Sequence, residues 1–156
     1  MGNIVSGWDF VSDLGFYGAS GLTLDGKGRI TVPVRHRDAL IDLAGGKLSI
    51  TKHPDGCLLV FPRPVWLPFR DKIAALPMES VKWKRMFLGF VSDVEIDTAA
   101  RVTIAPELRA YAGIAKDLLL IGMGNHFELW DAARYATQED DVRKTEMPES
   151  IKDFTF

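Results

Sequence analysis

Leu24-Asp25-Gly26-Lys27-Gly28-Arg29-Ile30-Thr31-Val32-Pro33 returns 72 positions later as Ile96-Asp97-Thr98-Ala99-Ala100-Arg101-Val102-Thr103-Ile104-Ala105. Both copies place Asp after an apolar residue, Arg four positions on, and then a β-branched run with Thr at its centre. Each copy predicts a strand, a tight loop and a return strand. In the first, Leu22–Leu24 and Ile30–Val32 are the strands; Asp25 bonds nearby backbone, while Gly26 and Gly28 supply conformational freedom.

The neighbouring segments repeat in the same order. Pro33 opens a helix through Ile41 that Gly45-Gly46 ends, and the second helix runs from Pro106 to Tyr111. Lys47–Thr51 and Cys57–Phe61 form a hairpin about His53-Pro54-Asp55-Gly56. Leu118–Ile121 and Phe127–Trp130 form its counterpart about Gly122-Met123-Gly124-Asn125. The offset falls to 69 between Cys57 and His126, so a small insertion reconciles the copies. Between them, a helix beginning near Pro68 carries Phe69, Ile73 and Leu76. A bridging helix capped by Ser80 sets Trp83, Met86, Phe87 and Phe90 on one stripe. Trp66 and Trp130 read as core. Another helix follows Asp131, and the sequence after Thr137 is acidic and poor in apolar residues, as in a mobile tail.

These boundaries divide the chain into an extension at 1–15, a first repeat with the bridging helix at 16–90, a second repeat at 91–137 and an acidic tail at 138–156. Each repeat offers four short strands, too few to close a sheet. Interleaving the two about a pseudo-two-fold axis buries both apolar faces and removes edges. The expectation is an α+β fold, mainly β with helices.

Of the 156 residues, 47% are hydrophobic and 26% charged, which suits a globular domain with its own core. No apolar run approaches the roughly 20 residues of a membrane-spanning helix. Asp9 and Asp13 interrupt any signal-peptide pattern at the start. Cys57 stands alone, which excludes an internal disulfide and points to a reducing, cytoplasmic compartment. The net charge of -2 argues against a uniformly basic nucleic-acid coat.

A local patch departs from that average. From Asp25 to Arg37 the cations Lys27, Arg29, Arg35 and Arg37 face one carboxylate. Glycines beside Lys27 let backbone approach phosphate, and Arg can pair with guanine edges as well as with phosphate. On residues alone, a simple Asp25–Arg29 tie across the loop is the competing reading. Lys82, Lys84 and Arg85 on the bridging helix read as a solvated face. Enzyme signatures are missing: His36, His53 and His126 are dispersed without metal-ligand spacing, Gly26-Lys27-Gly28 lacks a P-loop's spacing, and Gly122-x-Gly124 lacks a third glycine. Cys57 and His126 hold equivalent places and invite a dyad, but read better as ordinary strand residues. No cofactor and no metal are expected.

Phe16-x-Gly18, Leu24-Asp25-x-Lys27-Gly28-Arg29-Ile30, Pro33, Leu88-Gly89, Asp97-x-x-x-Arg101 and Phe127-Glu128-Leu129-Trp130 together resemble the MraZ family, bacterial transcription regulators associated with the division and cell wall gene cluster. The resemblance spans Phe16 to about Phe154. It implies a pseudo-two-fold swapped-hairpin barrel made of two fused AbrB-like repeats. It implies a ring homo-oligomer that binds short direct repeats of double-stranded promoter DNA as a repressor, at the nucleoid. Lys27, Arg29 and Arg101 carry over as DNA contacts, joined on charge by Arg35 and Arg37. Asp25, Gly26, Gly28 and Asp97 shape the loops. Thr98-Ala99-Ala100 replaces Gly-Lys-Gly, so the expected contact rests mainly on Asp25 to Arg37. An AbrB-fold antitoxin-like module is the alternative, its tail carrying Ile151 and Phe154 toward a partner.

Overall fold

The computed structural model describes residues 15–154; apart from Gly15, the expected extension lies outside them. The elements are β1 (Ala19–Thr23), β2 (Arg29–Thr31), α1 (Val34–Ala44), β3 (Lys47–Lys52), β4 (Leu58–Pro62), α2 (Arg63–Ala74), a 3-10 turn (Met78–Ser80) and α3 (Val81–Leu88). The second repeat continues with β5 (Ser92–Glu95), β6 (Arg101–Thr103), α4 (Pro106–Ala112), β7 (Asp117–Gly122), β8 (Phe127–Asp131), α5 (Ala132–Arg143) and α6 (Glu149–Lys152).

A six-stranded antiparallel sheet runs β1-β7-β8-β4-β3-β5, and β2 and β6 pair separately as a two-stranded ribbon. Exchanging the repeats turns the strand order into itself. The pseudo-dyad passes between Leu59 and Glu128 in the sheet and between Ile30 and Val102 in the ribbon, where equivalent residues face each other. β1 and β2 do not form the expected return pair. The Asp25 loop turns the chain tightly but sends β1 to β7 and β2 to β6, each in the other repeat. Nor does the sheet close, because β1 and β5 remain its edges.

Alternation explains the layers. Ile30, Val32, Val102 and Ile104 point from the ribbon into a core with Leu48, Ile50, Leu58, Val60, Leu118, Leu120, Phe127 and Leu129, closed by Leu40 of α1 and Leu108 of α4. On the opposite sheet face Leu59 and Phe61 pack with Trp66, and Phe69 and Phe87 flank them. β4, covered on both faces, is buried along its whole length.

Helix α2 begins at Arg63, not near Pro68. Pro62 holds its N-cap place without a capping bond, Pro64 fits its first turn, and burial of Trp66 secures that turn, so Pro68 lies inside the helix. On α3 Phe87 and Met86 are partly buried, whereas Trp83 is 50% exposed and Phe90, beyond the helix end at Leu88, is 43% exposed, so the stripe is narrower than its periodicity predicts. Ser80 holds the N-cap place of α3 without a side-chain bond; Asp131 supplies one for α5 by accepting from the Arg134 amide. That helix continues through Thr137 to Arg143. Among the described residues no helix is long and apolar enough to cross a membrane.

His36 sits where the second repeat has Leu108, enclosed by the rings of Phe16 and Phe127. Burial, and then the charge of Arg35, hold its imidazole below the usual pKa. His126 is lowered chiefly by burial as well. A histidine depressed in the folded state leaves stability intact above its unfolded pKa, about 6.5, and takes protons on unfolding below it. The melting temperature is therefore expected to fall as pH drops through that value. His36→Leu should flatten part of the fall, in thermal melts between about pH 7.5 and 5.5.

Candidate nucleic-acid interface

The two Asp-x-x-x-Arg loops have one geometry. Oδ1 of Asp25 accepts the backbone N–H of Lys27 and of Arg29, each at 2.9 Å, and Oδ2 accepts Arg29 Nε at 2.7 Å. Asp97 repeats this with Ala99 at 2.9 Å, Arg101 at 2.8 Å and Arg101 Nε at 3.0 Å. The Arg29 amide above all draws the Asp25 pKa down to about 2, and the Arg101 amide lowers that of Asp97. Both shifts favour the ionised carboxylate. The tie and an outward role coexist, since each aspartate takes only the Nε edge of its arginine and fixes the plane of the guanidinium.

Gly28 has φ +77°, and the equivalent Ala100 has φ +61°, the one non-glycine at positive φ among the described residues. The second loop thus keeps its shape despite losing its glycine. An L-residue pays about 1–2 kcal/mol in this region, partly offset because alanine is less free than glycine when unfolded. Ala100→Gly is expected to stabilise the protein by about 0.5 kcal/mol, measurable by denaturant unfolding. Gly26 does not shape the loop through its backbone: it has no positive φ, and a Cβ there meets nothing within 4 Å.

Beyond the loops, the ribbon turns Arg29, Thr31, Arg101 and Thr103 outward while the residues between them are buried. Arg29 faces Thr103, and Thr31 faces Arg101. The amide of Ile104 donates to Gly28 and that of Val32 to Ala100, which extends the ladder to both loops. Because the strands are antiparallel, the loops lie at opposite ends, with Gly28 and Ala100 about 14 Å apart along the strand.

The four cations of Asp25 to Arg37 do not form one patch. Lys27 is exposed at the first loop beside Arg29. Arg37 reaches back to the Val32 carbonyl at 2.8 Å, which places it at the second loop's end of the ribbon. Arg35 donates to Ser20 Oγ at 2.7 Å and lies against Gly18, near the start of β1. Arg109, the repeat mate of Arg37 and the basic residue its 72-residue offset marks in the second repeat, was not among the expected contacts. It donates to the Ile104 carbonyl at 3.0 Å, and its guanidinium packs against Gly28, 2.9 Å from where a Cβ would lie. The backbone of Lys116 also bonds Leu24, just before the first loop. Each repeat therefore lends its helix arginine to the other's loop end, a crossing visible only through the 72-residue offset of Arg37 and Arg109.

The Cys57–His126 dyad does not form. Leu58 faces Leu129 and Val60 faces Phe127, so the two residues sit at opposite ends of the β4–β8 pair, with His126 stacked on Phe61. Cys57 is fully buried, and burial, then the charge of Glu128, push its thiol pKa up, the opposite of an activated nucleophile.

A family model described as "MraZ protein, putative antitoxin-like" matches the chain twice, over residues 16–90 and 86–153. The chain is 58% identical over 146 residues to a protein of Leptothrix cholodnii named transcriptional regulator MraZ, covering 94% of this chain and all of that one. Proteins of the same name from an Acidovorax species and from Ralstonia pickettii are 60% and 57% identical over 141 residues, covering 90% of this chain and 99% of each of them.

Proposed function

This chain belongs to the MraZ family, and on that premise we propose that it is a transcriptional regulator whose β2–β6 ribbon and first loop bind double-stranded promoter DNA. The observation that carries this is the outward face of Arg29, Thr31, Arg101 and Thr103, with both arginines held by ionised aspartates. The major groove admits a two-stranded ribbon, Arg pairs with guanine, and Thr contacts bases of either type. Lys27 and Arg109 add charge for phosphates at the first loop, and Arg37 does so at the other end. Arg35 stands apart from both, near Ser20. The function is regulatory rather than enzymatic.

The exchange of β1 and β5 between repeats supports a swapped-hairpin reading of the fold. A handful of cations neutralises few phosphates, and each contact steepens the salt dependence by about 0.9 in the logarithmic slope. One chain holds DNA weakly; several on repeated sites gain by effective concentration. This supports a homo-oligomer, a ring in our reading, that occupies direct repeats and represses the division and cell wall genes at the nucleoid. A mobility shift on the protein's own upstream DNA over a salt series tests it. We expect a steep loss with salt and release when the repeats are scrambled; equal binding to scrambled DNA would reject sequence-specific recognition.

The antitoxin-like alternative draws on the tail, where Ile151 and Phe154 are exposed. A chain ending after Arg143 should bind DNA as before under the main reading, while losing a protein partner under the other.

A further inference from the structure

The β3–β4 turn and β8 bring together three side chains that the sequence scatters. His53, Cys57 and Glu128 each present one donor atom, and the three atoms lie within 4.8 Å of one another. We propose that they form a metal-binding site for a zinc-type divalent cation, with two ligands from the first repeat and one from the second.

The site is built before any ion arrives. The turn is closed by the His53 amide on the Cys57 carbonyl, at 2.9 Å. The second repeat clamps it through Tyr111 Oη on the His53 carbonyl, at 2.7 Å, and Arg134 Nη1 on the Gly56 carbonyl, at 2.9 Å. Trp130 Nε1 donates to Glu128 Oε1 at 2.9 Å, which orients the carboxylate and leaves Oε2 toward the histidine. Oε2 lies 3.5 Å from His53 Nε2, longer than a good hydrogen bond. It is close to the roughly 3.3 Å edge of a tetrahedron with bonds of about 2.0–2.1 Å.

The donors select the ion. A thiolate, an imidazole and a carboxylate together favour zinc over magnesium or calcium, which take oxygen. Binding at Nε2 leaves the ring proton on Nδ1. That nitrogen now accepts the Asp55 amide at 2.9 Å, and the Asp55 carboxylate, 3.9 Å away, is placed to take the proton's bond instead. The Cys57 sulfur exchanges its proton, released to solvent, for a bond to the metal. Three protein ligands leave a fourth position for water, beside a groove lined in part by His53 and Asp55. Glu128 lies opposite Leu59 at the pseudo-dyad, so the ion would staple the two repeats together.

The full chain, stripped of metal by a chelator, is titrated with Co2+ and then Zn2+. Expected are one Co2+ per chain with thiolate-to-cobalt charge-transfer absorption, its displacement by Zn2+, and a melting temperature that rises with Zn2+. Cys57→Ser should lose the charge-transfer band, and Glu128→Gln should weaken binding at least tenfold with circular dichroism unchanged, given that even second-layer partners cost about 10–100-fold. Binding by wild type without charge transfer, or no binding at one ion per chain, overturns the site. The wild-type spectrum decides alone if a variant misfolds.

Discussion

Arg29→Ala is expected to abolish the promoter complex while the fold persists. Its guanidinium is the one cation that stands both on the outward ribbon face and at the glycine-bearing loop. Losing a base-reading arginine costs about 1–3 kcal/mol per engaged loop. The loss compounds when several chains of an assembly act on one DNA. Stability should change by less than about 1 kcal/mol, because the Asp25 tie is partly exposed and Asp25 Oδ1 keeps both backbone amides. Thermal melts beside mobility shifts separate the effects. A variant that melts like wild type and still shifts the DNA at equal concentration would remove Arg29 from the interface. Arg101→Ala should cost less, since the second loop lacks a lysine.

Gly122→Ala is expected to be the most damaging of the small substitutions, at about 3 kcal/mol. A Cβ at Gly122 would stand 2.4 Å from the Tyr17 nitrogen and 2.5 Å from the Phe16 carbonyl carbon. Backbone cannot swing aside as a side chain does. The structure must lift residues 16–18 from the end of β7, and with them Phe16, which is 2% exposed against His36 and Phe127. Burying such a ring is worth about 1.5–3 kcal/mol. Gly21→Ala, also in β1–β7 pairing but with nothing within 4 Å, is the control and should be near neutral. Equal denaturation midpoints for the two variants would contradict this account.

Much of this was legible in the residues. The Asp-x-x-x-Arg duplication located both loops, the turn signals located both hairpins, and the 72-residue offset anticipated a pseudo-dyad. Alternation tells which side of a strand is buried but not which strand it joins, so interleaving of the repeats was expected while the particular partners, β7 for β1 and β3 for β5, were not. The same limit concealed the crossing of Arg37 and Arg109 between loop ends. Pro68 marked a helix start by its usual preference, whereas burial of Trp66 outweighed the hydrogen bond lost inside α2. His53 and Cys57 acquire Glu128 only through the β4–β8 register, which spans 71 residues between Cys57 and Glu128.

Ala100 at φ +61° carries a consequence about direction. A two-fold assembly of identical chains must present identical loops, and such an object reads a palindrome the same way from either end. Fusion of the repeats into one polypeptide lifts that obligation. Here one end of the ribbon carries glycine and lysine while the other carries alanine on the same backbone trace. The molecule thereby has a front and a back, and under the DNA-binding function proposed above copies laid along DNA would all point the same way, suited to tandem sites read head to tail.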